Sequence, residues 1–187
     1  MAELVAFSIL SIDGHYSGPD GEFDWTIKDN ETSKFSNDQT GGTGTILLGR
    51  KTYEMMQSYW TLPQAEEFAA STAAYMRNSA KIVFSEHSTN FSETDNWKNI
   101  THYSELEPEV IKNLKDTSGK NMIILGSGTI VKQLTMHSLI DEYQLMINPV
   151  ILGKGKSFFT DLNVTRLKLK ESKKFNNGIV LNIYRRS

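Results

Sequence analysis

The stretch Asn121-Met-Ile-Ile-Leu-Gly-Ser-Gly-Thr-Ile-Val-Lys-Gln-Leu134 decides the fold. Residues 122–125 are an uninterrupted apolar run, which is typical of a strand covered on both faces in a parallel sheet. Glycines follow at positions 126 and 128, and apolar residues then recur at helical spacing. The chain is therefore predicted to pass from a buried strand through a glycine turn into a helix.

The glycine turn at residues 126–128 has two interpretations. Glycines let backbone N–H groups approach a ligand closely, and the N-terminus of the following helix favours an anion such as a pyrophosphate. The same residue types also make ordinary tight connections between a strand and a helix. The turn is not a full dinucleotide-binding fingerprint, because the third glycine of G-x-G-x-x-G would fall at Val131. A ligand site here needs support from other parts of the chain.

Length and composition limit the classes of function. The chain has 187 residues, of which 39% are hydrophobic and 22% charged, so residues 1–187 are expected to form a single domain. A net charge of −2 gives no reason to expect nucleic acid or an anionic membrane as a partner.

The absence of cysteine excludes thiolate catalysis and Cys-based metal sites, and the four histidines lack zinc-binding i, i+4 spacing, so no metal is expected. Residues 4–10 lack a basic leader and are predicted to be a strand, and no run reaches the roughly 20 apolar residues of a membrane span. A cytoplasmic protein is expected.

Apolar runs alternate with amphipathic segments along the chain. Strands are predicted at residues 4–10, 45–48, 81–84, 100–103, 122–125, 142–150, 166–175 and 179–184, and helices at 30–39, from 53, at 64–77, from 108 and after the glycine turn. Asn176-Asn177-Gly178 is predicted to join the last two strands as a tight hairpin, with Asn and Gly supplying positive φ angles. The pattern predicts an α/β fold with a mostly parallel sheet and an antiparallel edge.

Polar segments directly follow four of these strands. They are Asp13, Gly49-Arg50-Lys51-Thr52, Ser85 and Gly126-Ser127-Gly128. Ligands of open α/β sheets bind beyond the carboxyl ends of the strands. These segments are therefore expected to line one rim of the sheet.

The segment Gly49-Arg50-Lys51-Thr52 has the composition of a phosphate-binding site. Two cations and a hydroxyl stand beside a predicted helix N-terminus, although a solvated basic pair at a surface turn has the same sequence. Ser85 is suited to donate to the same phosphate, or to form a simple turn. Together these residues favour NADPH over NADH as the cofactor, because they can bind its 2′-phosphate. No carboxylate follows a strand end where it could accept a hydrogen bond from the ribose 2′-hydroxyl of NADH.

Several motifs carry a resemblance to a known family. They are Ser11-Ile12-Asp13-Gly14, residues 18–25 (Gly-Pro-Asp-Gly-Glu-Phe-Asp-Trp), residues 48–54 (Leu-Gly-Arg-Lys-Thr-Tyr-Glu), Tyr59-Trp60, Leu125-Gly126-Ser127-Gly128 and residues 149–155 (Pro-Val-Ile-Leu-Gly-Lys-Gly). As a set they resemble the dihydrofolate reductase-like superfamily. They are most similar to the C-terminal reductase domain of the bifunctional riboflavin-biosynthesis deaminase/reductase.

The resemblance implies a fold, a cofactor and a set of binding residues. The expected fold is a three-layer α/β/α sandwich around a mostly parallel eight-stranded sheet with an antiparallel C-terminal hairpin, and the protein is expected to form a homodimer that uses NADPH. The residues that match the family's cofactor-binding motifs are Gly49, Arg50, Lys51, Thr52 and Ser85 for the adenosine-side phosphate, and Gly126, Ser127, Gly128 and Thr129 for the pyrophosphate.

The catalytic and substrate-binding candidates follow from the same resemblance. Asp13 and Asp24 are candidate proton donors, although aspartate more commonly forms turns and helix caps, and Asp29 and Glu31 lie in the same region. The candidates for contacting the substrate are Trp25, Tyr59 and Trp60, which would stack on a flat heterocycle or belong to the core. Lys154, or alternatively Lys156, is able to meet an acidic substrate group.

Three functions are compatible with these residues. The first is an NADPH-dependent reductase of a small pyrimidine- or pteridine-like heterocycle or of another small carbonyl or imine substrate, including 5-amino-6-(5-phosphoribosylamino)uracil reductase activity as a narrower version. The second is a non-catalytic dimer that binds NADPH or another nucleotide. The third is a structural α/β module, which predicts no affinity for NADPH.

Overall fold

The computed structural model describes residues 1–27, 29–41, 44–87, 91, 93–157 and 159–186. Its helices are α1 (Asn30–Gly41), α2 (Arg50–Trp60), α3 (Pro63–Asn78), α4 (Pro108–Thr117) and α5 (Gly128–Met136). Its strands are β1 (Leu4–Ser11), β2 (His15–Ser17), β3 (Thr45–Gly49), β4 (Ala80–Phe84), β5 (Ile100–Tyr103), β6 (Met122–Leu125), β7 (Glu142–Asn148), β8 (Lys156–Ser157), β9 (Leu167–Lys174) and β10 (Val180–Arg186). No helix in these ranges is long and apolar enough to cross a membrane.

The main sheet has eight strands in the order β5-β4-β3-β6-β1-β7-β10-β9. The first six strands in this order, β5 through β7, all run parallel, whereas β10 runs antiparallel to both of its neighbours. Strand β6 is buried at all four positions because it lies between β3 and β1 and has helices on both faces. The mostly parallel sheet with an antiparallel C-terminal hairpin is confirmed.

Two apolar layers separate the sheet from its helices. Along β1, Leu4, Ala6 and Leu10 contribute to one layer, which also contains residues of α4 and α5. Val5 and Phe7 contribute to the opposite layer, with residues of α2 and α3. This alternation is the period of two expected of a strand that is buried on both faces.

The hairpin between β9 and β10 turns differently from the prediction. Gly178 has a φ of +88°, but Asn177 is not among the residues with positive φ. The Gly178 N–H donates to Phe175 O, and the Asn177 side chain accepts from the Ile179 N–H at 3.0 Å. The turn therefore needs one left-handed residue rather than two, as in hairpins with a three-residue loop and a glycine bulge.

A second, two-stranded sheet was not predicted from the sequence. Strand β2 pairs antiparallel with β8, so that Ser17 faces Lys156 and His15 faces Ser157. Gly155 precedes β8, and a Cβ there would lie 2.4 Å from Ser17 O. The close approach of the two loops thus requires glycine at position 155. We call the β2–β8 pair the ribbon.

A buried carboxylate fastens the C-terminal hairpin to the parallel sheet. Glu142 on β7 accepts hydrogen bonds from Lys170 (2.8 Å), Gln144 (2.8 Å) and Arg185 (3.0 Å). Lys170 stands at the register shift between β9 and β10, and Arg185 also pairs with Glu3 at 2.9 Å. Burial by itself raises the pKa of Glu142, but the hydrogen bonds from Lys170, Gln144 and Arg185 outweigh it and lower the pKa.

Replacing Glu142 with Gln is expected to lower the free energy of unfolding by about 2 kcal/mol at pH 7, because Lys170 loses its anionic partner and Arg185 keeps only Glu3. The folded-state pKa is lowered, so the unfolded chain binds more protons as the pH falls. The stabilisation is present above the unfolded pKa of about 4.3 and is lost as the pH falls through the folded pKa. Urea denaturation at pH 7 and at pH 3 measures both effects.

The matched control is Glu171→Gln on the exposed strand β9. This variant is expected to unfold like the wild type at both pH values. A difference between the wild type and Glu142→Gln that stays constant from pH 7 to pH 3 would show that the charge of Glu142 does not matter.

Candidate active site

A cleft of about 1290 Å³ opens at the carboxyl ends of the parallel strands. Its walls include the residues that follow β3, β4 and β6, together with parts of β1, of the ribbon and of α1, α2 and α3. The strand ends meet there because the pairing is parallel, with Gly49 opposite Phe84 and Phe7 opposite Leu125. The predicted rim of the sheet is therefore the edge of this cleft.

Two helix N-termini face the cleft without side-chain caps. Helix α2 begins at Arg50 after Gly49, and α5 begins at Gly128 after Ser127, with no cap hydrogen bond and no acidic residue in either first turn. The first N–H groups of a helix have no partner within the helix, and the helix dipole adds positive potential. Two such termini beside each other form a site suited to an extended anion.

One hydrogen bond connects these two turns. The Gly49 N–H donates to Ser127 Oγ at 2.8 Å. Ser127 has a φ of +51°, which is uncommon for a residue with a side chain, and Gly126 beside it has a φ of +59°. The Ser127 hydroxyl thus reaches across to β3 instead of capping its own helix. A Cβ on Gly126 would lie 3.6 Å from the Thr52 methyl group, so the turns also pack together.

All nine predicted cofactor-binding residues line the cleft: Gly49, Arg50, Lys51, Thr52, Ser85, Gly126, Ser127, Gly128 and Thr129. Besides the Gly49–Ser127 hydrogen bond, the side chains of Arg50 and Ser85 have partners within the chain. Arg50 Nη1 pairs with Glu54 at 3.0 Å, and the Ser85 hydroxyl donates to His87 O and accepts from the His87 N–H. The structure thus brings the nine residues together, and the role of each in binding remains a proposal.

Tyr16 of the ribbon packs against the glycine turn. A Cβ on Gly128 would lie only 2.4 Å from Tyr16 Cε1, so this position accepts no side chain while the ring stays in place. Burial raises the pKa of Tyr16, which therefore stays a neutral phenol at physiological pH. No residue pattern singled out Tyr16, which places an aromatic ring beside the N-terminus of α5.

Asp13 lies beside the cleft but is not among its lining residues. Its carboxylate accepts hydrogen bonds from Ser11 Oγ (2.6 Å), Gly153 N (2.8 Å) and Leu152 N (3.2 Å), and His15 Nδ1 lies 3.2 Å away. The Ser11 hydroxyl makes the largest contribution to a pKa well below the usual range, and the two backbone N–H groups add to it. Asp13 therefore connects the end of β1 to the loop that precedes β8.

The other predicted catalytic and substrate residues are divided between the cleft and its surroundings. Trp60 lines the cleft, whereas Asp24, Trp25, Tyr59 and Lys154 are not among its lining residues. The cleft is lined instead by Phe23, which precedes Asp24, and by Lys156, which lies two positions after Lys154. Asp24 and Lys154 are exposed. The contribution of each residue to substrate binding is a proposal.

Asp29 and Glu31 have structural partners. Asp29 Oδ1 accepts from the Thr32 N–H (2.8 Å) and hydroxyl (2.6 Å) at the start of α1, which lowers its pKa. Glu31 accepts from the backbone and side chain of Asn176 at 3.1 and 3.0 Å. Both acids thus fix the start of α1, consistent with the capping role common for such residues.

The sequence prediction missed several charged or titratable residues of the cleft, among them Glu86, His87 and Glu105. Glu86 and His87 follow Ser85 after β4, and Glu105 follows β5. Their position just beyond the ends of predicted strands could have identified them as candidates for the rim of the sheet. Glu86 in particular supplies a carboxylate where none had been expected. No group of three potential metal-binding side chains occurs in the described part of the chain.

Replacing Asp13 with Ala is expected to loosen the loop before β8 without removing any group that reacts with substrate. Backbone amides of residues 151–157 should exchange with deuterium about tenfold faster than in the wild type. Because the pKa of Asp13 is well below its usual range, the carboxylate is ionised from pH 5 to pH 8 and the difference in protection should not vary there. Hydrogen–deuterium exchange with mass spectrometry measures it.

Asp24→Ala is the control, because this exposed residue does not line the cleft, and its exchange should equal that of the wild type. Normal exchange combined with complete loss of turnover in Asp13→Ala would instead identify Asp13 as a catalytic acid.

Comparisons with known proteins agree with this architecture. A model of the RibD C-terminal domain family matches residues 2–181. The uncharacterized protein YyaP of Bacillus subtilis is 28% identical over 176 residues, which are 94% of this chain and 90% of YyaP.

Two solved structures share the fold. The putative riboflavin biosynthesis protein from Shewanella sp. PV-4 aligns with a TM-score of 0.75 and 20% identity, covering 100% of this chain and 99% of that chain. Dihydrofolate reductase from Enterococcus faecalis, complexed with NADP(H), aligns with a TM-score of 0.64 and 19% identity, covering 99% and 96%. With the family match and the eight-stranded sheet, these likenesses show that the chain belongs to the RibD C-terminal domain family and has the dihydrofolate reductase-like fold.

Proposed function

We propose that the protein is an NADPH-dependent reductase that transfers hydride to a small pyrimidine- or pteridine-like heterocycle. Membership of the RibD C-terminal domain family and the dihydrofolate reductase-like fold support a reductase of this kind. The observation that carries the proposal is the pair of uncapped helix N-termini at the cleft, joined by the hydrogen bond from Gly49 to Ser127. Bound NADPH would supply the hydride from its nicotinamide ring.

The residues of the cleft fit the phosphates of such a cofactor. The glycine turn and the N-terminus of α5 would hold the pyrophosphate through Gly126, Ser127, Gly128 and Thr129. Arg50 and Lys51, at the N-terminus of α2, would hold the 2′-phosphate with the Thr52 hydroxyl. The complex of the Enterococcus faecalis reductase with NADP(H) supports this assignment for the shared fold.

The apolar part of the cleft lining would fit a flat ring. It includes Phe7 and Ile9 of β1 and Met55, Met56 and Trp60 of α2. The protein would act mainly by aligning the ring with the hydride donor and by excluding bulk water. The naming of the Shewanella protein supports the narrower proposal of a riboflavin-pathway pyrimidine reductase.

The proton for the reduced ring is proposed to come from water. Asp13, Asp29 and Glu31 are each held by hydrogen bonds to the backbone of neighbouring segments. A carboxyl group with a lowered pKa, such as that of Asp13 or Asp29, is a poor proton donor at neutral pH.

Because these acids already accept hydrogen bonds within the chain, a second candidate is a non-catalytic protein that binds NADPH. A panel of pterins and pyrimidines added to the NADPH complex separates the two functions. Oxidation of NADPH with any of them supports the reductase, and tight binding without oxidation supports the second candidate.

Replacing Arg50 with Ala should weaken NADPH binding by about 10- to 100-fold and NADH binding by less than about threefold, since a charge-assisted contact to the 2′-phosphate is lost. Calorimetric titration with each nucleotide measures the two affinities. Equal losses for NADPH and NADH would refute the role of Arg50 at the 2′-phosphate.

Glu54→Ala is the matched control, because it removes the other member of the Arg50–Glu54 pair. It should leave NADPH affinity unchanged or raise it, since Arg50 no longer has an internal partner. Weaker NADPH binding in this variant would attribute the Arg50 effect to helix stability.

We also propose that the protein is a homodimer, on the strength of the family resemblance. Large apolar side chains are exposed near the ends of β1 and β7: Ile12 is 60% and Ile151 71% exposed. Sedimentation velocity at micromolar concentration is expected to give a dimer. A monomer at this concentration would refute the proposal.

A further inference from the structure

The end of the cleft between α1, α2 and α3 has a lining with no charged side chain among the residues that the structure describes. Phe7, Ile9, Met56, Trp60 and Met76 all belong to, or pack against, one apolar layer and all line the cleft. Thr72 of α3 lines the same space, one helical turn before Met76. We call this end of the cleft the helical chamber.

Thr72 carries a buried hydroxyl without a hydrogen-bond partner. The residue is only 5% exposed, and its Oγ1 has no partner among the described residues. Leaving such a group unpaired costs free energy, because water solvates it in the unfolded chain. An unpaired buried hydroxyl in a native cleft needs an explanation in terms of function or of a missing partner.

A break in α3 explains why the helix itself does not satisfy Thr72. A helical threonine usually donates to the carbonyl four residues earlier. Here Ala69 has φ −154° and ψ 71°, values outside the helical range, so the turn between residues 68 and 72 is interrupted. The hydroxyl is thereby left without a helical partner, and because its oxygen is itself buried, a rotation of the side chain about χ1 is required to bring it to the chamber.

The charged residues of the cleft lie on loops, on the ribbon and at the start of α2. The acids Asp20, Glu86 and Glu105 are exposed and lie on loops after β2, β4 and β5. Among the cations, Arg50 and Lys51 are at the start of α2, and Lys156 is on the ribbon, where its Nζ would be 3.7 Å from a Cβ on Gly21. On α1, the chamber is bordered by Ser36 and Asn37, which are polar but uncharged.

We propose that the helical chamber binds an uncharged planar carbonyl compound, and that the Thr72 hydroxyl donates a hydrogen bond to its carbonyl oxygen. The inference rests on the proposed reductase function and narrows its substrate class. A cationic ring would need a carboxylate in the chamber, and a phosphorylated ring would need a cation. The chamber has apolar walls and the unpaired Thr72 hydroxyl as a donor. These features are complementary to a neutral ring with a carbonyl group.

The reduction of such a carbonyl is balanced with one hydride and one proton. Hydride from NADPH forms the new C–H bond at carbon, the π-electron pair of the C=O bond moves to oxygen, and a proton from water completes the hydroxyl group. Thr72 acts as a hydrogen-bond donor that orients the carbonyl and determines specificity, and it keeps its own proton.

The test compares two probes that differ by one charge, 1,4-naphthoquinone and 1,4-naphthoquinone-2-sulfonate. Calorimetry on the whole protein is expected to show binding of the neutral quinone and at least tenfold weaker binding of the sulfonate. In Thr72→Val the affinity for the neutral quinone should fall about tenfold, the loss expected for one hydrogen bond. Thr72→Ser should keep wild-type affinity, and Ser71→Ala, an exposed neighbour on α3, is the control.

Thermal unfolding distinguishes a binding role of Thr72 from a structural one. Removal of an unpaired buried hydroxyl should leave the Tm of Thr72→Val unchanged or raise it. A fall of several degrees would show that the hydroxyl has a structural partner and would overturn the proposal. Equal quinone affinity in Thr72→Val and wild type would also overturn it, as would preferred binding of the sulfonate that is lost in Lys156→Met.

A titration with NADPH on the same samples separates this inference from the proposed function. Absence of NADPH binding refutes the proposed reductase. Loss of quinone affinity in Thr72→Val would still support the chamber in that case, because quinone binding is measured without the nucleotide.

Discussion

The hydrogen bond from the Gly49 N–H to Ser127 Oγ is the contact on which the cleft depends. Parallel pairing brings the ends of β3 and β6 to one edge of the sheet, but pairing alone does not fix the turns that follow. Ser127 fixes them by taking a left-handed conformation, which directs its hydroxyl at the neighbouring turn. Two helix N-termini are thereby held side by side with their first N–H groups free of side-chain caps.

The second constraint is the attachment of the loops to this edge. Asp13 binds the backbone of Leu152 and Gly153, and this places the residues that form the ribbon beside the end of β1. The ribbon in turn carries Tyr16 and Lys156 to the cleft. Asp13, Gly153 and Gly155 thus hold the ribbon beside the cleft, although none of the three lines the cleft.

The sequence predicted the features that follow from local patterns. The apolar run at 122–125, the glycines after it and the basic residues after 45–48 located the nine residues that now line the cleft, because strand ends in a parallel sheet meet at one edge. The eight main strands are also found where their apolar runs were recognised, as at 81–84, which forms the core of β4.

The features that the sequence did not reveal depend on distant pairings. Strands β2 and β8 have three and two residues, too short for any period, and their contact joins segments far apart in the chain. The sequence left Lys154 and Lys156 as alternatives, and only the pairing of Lys156 with Ser17 decides which lysine borders the cleft. Thr72 carried no signal either, because its unpaired state results from a break at Ala69 that no residue pattern marks.

The contact between Tyr16 and Gly128 has a consequence for how this chain can diverge. No β-carbon fits at position 128 while the aromatic ring occupies the space above it. A descendant that gains any side chain at position 128 must first, or at the same time, exchange the ring for a small residue or displace the ribbon. The two positions are therefore expected to change together, although they lie 112 positions apart in the sequence.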